Sequence, residues 1–329
     1  MPQKSNPQAK YKPNLSLLGA GIVLMLISTI FFATMNAIIK SLNTMGYSSM
    51  ENVFFRAFFM IISLYVVIGV FPLLHRHFPK SFPADKCPQI KAKQKGGFNS
   101  MLMRGIFGGV AVSIAYYNFA TIPLGIATAF LQSTPIFVVL LSFFTRSKPS
   151  IFILFATIIG FVGVLLVANP QHSEIPLINA LIGIIGAISA ALAFLTIPSL
   201  KKFYTSEAVV LWYGVAICLV GIVGMIVGDF AGIEQLGGFI FPSALAWVLF
   251  ILCGITGAIG QWLMTKSYMY APPDIVAPIA YMRIVWSLIF GVLLGDSLPN
   301  IIPSIGIALI LLSGVLVSFY ALRENFVKI

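Results

Sequence analysis

Residues 104–130 read RGIFGGVAVSIAYYNFATIPLGIATAF, and residues 253–279 read CGITGAIGQWLMTKSYMYAPPDIVAPI. Laid over one another without gaps, Gly105-Ile106 meets Gly254-Ile255, Gly108 meets Gly257, and Ile126 meets Ile275. The correspondence runs on. Arg146-Ser147-Lys148-Pro149 matches Asp296-Ser297-Leu298-Pro299, and Gly163-Val164-Leu165 matches Gly314-Val315-Leu316. Few residues are identical, but order and spacing persist through three apolar runs, which is how an internal duplication reads.

The composition says what solvent these runs need. The chain has 329 residues, 59% hydrophobic and 9% charged, with a mean hydropathy of +1.00. A soluble domain carries about 25% charged residues. Ten apolar runs can be counted, at 16–39, 52–74, 101–121, 123–145, 150–168, 177–199, 207–228, 243–265, 273–294 and 301–322. Each has roughly the 20 residues a helix needs to cross the hydrocarbon. Within a bilayer such a run must satisfy its own backbone, so each is predicted to be helical. Ile122-Pro123 and Pro272-Pro273 are the only breaks between their neighbours, and a turn is expected at each. The basic start of the chain leads into a run long enough to span, so it reads as an uncleaved first helix.

The net charge of +11 is distributed as a topology signal rather than as a nucleic-acid surface. Lys and Arg collect in the N-terminal tail, in loop 75–100, at Arg146 and Lys148, at Lys201 and Lys202, and at the C-terminus. The alternate loops hold Glu51, Glu174, Asp229, Glu234 and Asp296. This is the positive-inside pattern with both termini cytoplasmic, and no nucleic-acid partner is expected. Loop 75–100 reads as a poorly ordered charged linker that keeps its side of the chain inside. Three cysteines and three histidines form no metal-ligand or disulfide spacing, and no phosphate-binding glycine loop occurs.

The matched turns complete the fold. R-S-K-P falls on the basic side and D-S-L-P on the acidic side, so the same turn faces opposite sides of the membrane. A five-helix unit is odd, and its second copy must enter inverted. The expected fold is an all-α polytopic membrane protein of ten transmembrane helices, built as an inverted repeat of two five-helix units. The divisions are a cytoplasmic tail at 1–15, a first unit at 16–170, a second at 171–322 and a cytoplasmic tail at 323–329. Transporters commonly use this plan, with solute bound near the midplane.

The chain resembles the drug/metabolite transporter superfamily, EamA type. The likeness rests on the ten-helix topology, on Asn36 and Lys40 in ATMNAIIK, on Arg56 in FFRAFF, on the FATIPLGIATA passage at 119–129, and on the G-V-L-L-V ending at 163–167. Members often carry a Glu in the fourth-loop turn, where this chain has Arg146. The resemblance implies a carrier of small solutes working by alternating access. It also implies a pocket lined mainly by helices 1, 3, 4, 6, 8 and 9, in a bacterial inner membrane.

Candidate site residues come from polar groups within the runs. Arg283, in APIAYMRIVWSL (277–288), sits mid-run, where insertion scales put the cost at about 2.5–3.5 kcal/mol. A wet cavity or a bound anion makes such a residue tolerable, because a guanidinium offers a bidentate fork to carboxylate or phosphate. A structural role, satisfied by carbonyls, is the alternative. Helical spacing puts Ala280, Ser287 and Gly291 near its side and Trp286 on the next turn. Asn36, Gln132, Tyr117 and Gln261 are further candidates, and interhelical hydrogen bonding is the plainer reading of Asn36 and Gln132. Arg56 is expected to reach the outer interface, and Lys266 to snorkel to the cytoplasmic one. No carboxylate lies mid-run, which argues against proton coupling.

The expectation is a transporter of a small anionic or zwitterionic metabolite, monomeric or homodimeric, with no cofactor and no metal. An enzyme's nucleophile and base within the membrane are not found, and a channel would use a symmetric oligomer with polar rings, whereas an internally repeated monomer has its own central path. A lipid flippase on the same fold, or an exporter of broad specificity, remain the alternatives.

Overall fold

A computed structural model describes residues 15–78, 87–122, 124–144, 149–168, 176–233, 236–293 and 301–326. The two matched S-x-P turns fall almost wholly outside these residues, as do both terminal tails. Among the described residues thirteen helices follow one another: α1 Leu15–Thr44, α2 Ser49–His77, α3 Phe98–Thr121, α4 Leu124–Gln132, α5 Thr134–Ser142, α6 Ile151–Ala168, α7 Leu177–Leu195, α8 Ile197–Leu200, α9 Ser206–Ala231, α10 Ala244–Tyr270, α11 Pro273–Ile279, α12 Met282–Leu293 and α13 Ile301–Phe326. They fall into ten spans at the ten apolar runs. The turns expected at Ile122-Pro123 and Pro272-Pro273 are where α3 and α10 end.

Three spans are broken, where the sequence reading expected continuous helices. The fourth is α4 and α5, the sixth α7 and α8, and the ninth α11 and α12. Proline explains the fourth span: Pro135 has no N–H for the carbonyl of Leu131, and the Thr134 hydroxyl donates to that carbonyl at 2.7 Å instead. In the sixth span Pro198 stands in the short α8. In the ninth, Pro278 precedes a tight turn in which Ala280 and Tyr281 donate to the carbonyls of Ala277 and Pro278. The breaks of the fourth and ninth spans fall within two residues of each other in the sequence register that aligns Gly105 with Gly254.

Packing obeys the same exchange. α1 packs on α10, and α7, the sixth span, packs on α3. α2 packs on α9 and α6 on α13, pairs that map onto themselves when spans 1–5 are exchanged with spans 6–10. α1 against α12 has its counterpart in α7 against α5, and α2 against α10 in α3 against α9. The pattern supports a duplicated five-helix unit.

The exterior is apolar. Phe144 is 89% exposed and Phe230 90%, and Phe155, Val223 and Phe319 also face outward. In water this would be a vast exposed patch; in a bilayer it is the surface that meets lipid. Seven of the helical segments are long and apolar enough to span by themselves.

Loop 75–100 differs from expectation over the part described. Residues 89–97 are pinned to the segment after α8: Lys93 N–H donates to the Phe203 carbonyl at 2.7 Å, and Thr205 N–H to the Lys91 carbonyl at 3.1 Å. The Thr205 hydroxyl donates to the Gln89 carbonyl at 2.7 Å. Gly96 and Gly97 hold φ of 113° and 78°, which glycine adopts without strain, and a Cβ on Gly97 would sit 2.7 Å from the Phe203 ring. Composition read the loop as a linker because its partner lies more than a hundred residues away.

Candidate functional site

Eight spans line a cavity of about 80 Å3, enough for several waters. Its walls include Asn36 of α1, Arg56 of α2, Arg104 and Tyr116 of α3, Phe194 of α7, Tyr213 of α9, Gln261 of α10 and Arg283 of α12. Three arginines line it, and among the described lining residues there is no Asp or Glu. Each guanidinium lies against an aromatic ring. Arg283 Cζ is 4.5 Å from the Phe32 ring centre, Arg56 is 5.8 Å from Tyr116, and Arg104 is 4.7 Å from Tyr213 and 5.5 Å from Phe194. Such contacts are worth about 0.5–2 kcal/mol and hold the faces of the cations. They leave the N–H edges to be satisfied by something else.

The three arginines differ in how far that has happened. Arg56 donates from Nη1 to the Tyr116 hydroxyl at 3.2 Å. Arg283 has a buried Nε with no hydrogen-bond partner among the described residues. Arg104 is 1% exposed, and none of its three nitrogens has a hydrogen-bond partner there.

Of the residues singled out from the sequence, Arg283, Asn36 and Gln261 line the cavity, and Gln132, Tyr117 and Trp286 do not. Gln132 sits at the break of the fourth span, and its Nε2 donates at 2.8 Å to the carbonyl of Ala280 at the break of the ninth. The two breaks are thus bonded to each other, one turn before Arg283. Ala280 belongs to that turn and not to a helical face shared with Arg283. Trp286 donates from Nε1 to the Thr29 hydroxyl at 3.1 Å, tying α12 to α1. Tyr117 points into a separate outward groove with Ile114, Val220 and Val223.

Two placements correct the sequence reading. Arg56 does not reach the outer interface; it is 6% exposed and lines the cavity. The reason is depth: the Ser49 hydroxyl at the start of α2 donates to the Tyr116 carbonyl at 3.0 Å, well below the end of α3. Arg56 lies seven residues further along α2, about 10 Å deeper. Arg104 was missed altogether. It falls only three residues inside the expected third run and looks like that run's basic flank, but α3 starts at Phe98 and carries it nearly two turns inside. The signal was available in FNSM (98–101), polar enough to end an apolar run yet able to continue a helix.

The described carboxylates stand at helix ends, as expected; Asp229 in the last turn of α9 is exposed, and the three at helix starts are buried. Glu51, Glu207 and Asp274 are 0%, 7% and 5% exposed, in the first turns of α2, α9 and α11. Glu207 accepts from Trp262 Nε1 at 2.8 Å. Lys266 lies 3.8 Å over the same Trp262 ring, half-buried instead of free at the interface.

A helical bundle with a lipid-facing exterior and a buried, cation-lined cavity is the build of a membrane transporter. Residues 19–169 match the model of the EamA-like transporter family. An uncharacterized transporter of Helicobacter pylori strain J99 is 35% identical over 94% of this chain and 98% of its own length. The pseudopaline exporter CntI of Pseudomonas aeruginosa is 24% identical over 92% of this chain and 98% of its own. A solved crystal structure superposes with a TM-score of 0.69 at 13% identity, covering 92% of this chain and 98% of that one, which speaks to fold alone. The chain belongs to the EamA-like transporter family of the drug/metabolite transporter superfamily.

Proposed function

We propose that the protein is a secondary transporter that carries a small anionic or zwitterionic organic solute through this cavity by alternating access. The observation that carries the reading is the convergence of Arg56, Arg104 and Arg283 on a cavity whose described lining has no carboxylate. A buried cation needs an opposite charge or hydrogen-bond acceptors nearby, and here the solute supplies them. The bonded breaks of the fourth and ninth spans and the exchange symmetry of the packing support two inverted five-helix units as the moving parts. The working unit is a monomer or homodimer, with both termini in the cytoplasm of a bacterial inner membrane. That a relative at 24% identity is named an exporter supports solute carriage.

Arg283→Gln is the test, with solute affinity and melting temperature measured on the same sample. Loss of affinity in a stable protein supports an anion site. Unchanged affinity with lowered stability assigns Arg283 to the scaffold and refutes the reading. Arg283→Lys keeps the charge but not the fork, and should bind with intermediate affinity.

A further inference from the structure

The hydrogen-bonding state of the cavity arginines implies more than a single negative charge. Arg56 has a partner in Tyr116. Arg283 and Arg104 stand on different spans against aromatic rings, and the Nε of Arg283 and all three nitrogens of Arg104 have no hydrogen-bond partner among the described residues. Both line the same cavity of about 80 Å3, which brings them to one enclosed space. Glu207, a buried carboxylate outside the cavity lining, is engaged by Trp262 and by the Ser206 hydroxyl. One carboxylate bound at Arg283 would leave Arg104, 1% exposed, still without an acceptor.

We propose that the solute is a dianion whose two oxyanion groups are separated by a short spacer, one group taken by Arg283 and the other by Arg104. A dicarboxylate and a phosphorylated carboxylic acid share this chemistry. The inference rests on reading the cavity as the solute site, and it adds the charge and shape of the solute. Tyr213 and Phe194 have a definite part in it: they clamp the plane of the Arg104 guanidinium and leave its edge for a bidentate contact. The confined volume of about 80 Å3 favours a compact spacer.

The full-length protein in detergent is titrated with straight-chain dicarboxylates from malonate to adipate, with the monocarboxylates of the same chain lengths, and with glycerol 3-phosphate and phosphoglycolate, at matched ionic strength. Affinity is read by calorimetry and melting temperature. At least one dianion should bind about tenfold tighter than its monoanionic counterpart, the gain from one more charge-assisted hydrogen-bonded contact. In Arg104→Gln that preference should vanish, the dianion losing about tenfold more affinity than its monoanionic counterpart. Arg283→Gln should lose both. Should Arg104→Gln fail to fold, Arg104→Lys gives the same comparison, with the dianion-to-monoanion affinity ratio reduced. Equal binding of monoanions and dianions by wild type overturns the dianion inference and leaves the anion site at Arg283 standing. A proportional loss of both in the Arg104 variants overturns it too. No binding of any probe, with Arg283→Gln indistinguishable from wild type, removes both readings.

Discussion

Gly108→Ala should loosen the floor beneath Arg104. A Cβ built on Gly108 lies 2.6 Å from Cε2 and 3.3 Å from Cδ2 of Tyr213, where carbon atoms normally rest about 3.5–4.0 Å apart. The ring must therefore retreat by about 1 Å, and it is the ring whose centre lies 4.7 Å from Arg104 Cζ. Overpacking of this kind costs about 1–3 kcal/mol, offset by the roughly 0.5–1 kcal/mol a helix gains when glycine becomes alanine. The net expectation is a loss of up to about 2.5 kcal/mol together with weaker anion binding. A double-mutant cycle isolates the cause. With the ring removed in Tyr213→Ala, the added methyl meets open space and should be neutral or stabilising. Gly19→Ala, with nothing within 4 Å of the new Cβ, is the control and should not destabilise. Equal destabilisation by Gly108→Ala in the presence and absence of the Tyr213 ring would refute the reasoning.

Gln132→Leu removes the bond between the two helix breaks. Because Ala280 O still accepts from Arg283 N–H at 3.1 Å, the loss of stability should be modest, about 0.6–1.7 kcal/mol by equilibrium unfolding, with a larger effect on transport rate than on folded yield. Gly97→Val forces a β-branched residue into φ 78° and against Phe203, and should release the loop from its partner segment. Tryptic cleavage at Lys91, Lys93 and Lys95 should then accelerate; an unchanged cleavage rate would show that the contact does not restrain the loop. A membrane-impermeant maleimide should reach Cys87 only from the cytoplasmic side, and labelling in intact cells would reverse the threading.

The plan of the fold was legible because a bilayer demands it. Continuous apolar runs, the prolines that separate some of them and the alternation of loop charge each follow from excluding water from the backbone, and each leaves a local mark in sequence. The breaks at 133 and 280–281 leave weaker marks. Pro135 and Pro278 announce that something interrupts the helix, but the Gln132-to-Ala280 bond joins residues 148 apart and exists only after both spans are in place. Loop 87–97 went unread for the same reason: its order comes from Phe203 and Thr205, and nothing within the loop points to them.

The site was half legible, and its residues show why. Arg283 stands out because it interrupts an apolar stretch on both sides, so its depth can be read from its neighbours alone. Arg56 and Arg104 lie near the edges of their runs, where a cation ordinarily snorkels to the interface. Their depth depends on where neighbouring helices begin and end. Ser49 bonded to the Tyr116 carbonyl sets α2 low in the bundle, and the early start of α3 at Phe98 sets Arg104 deep. Both cations were thus carried inward by the staggering of helices, a tertiary property. The consequence is chemical: three arginines around a cavity whose described lining has no acid, two of them with unpaired donors, are what the proposal of a doubly charged solute rests on, and a single arginine would not have suggested it.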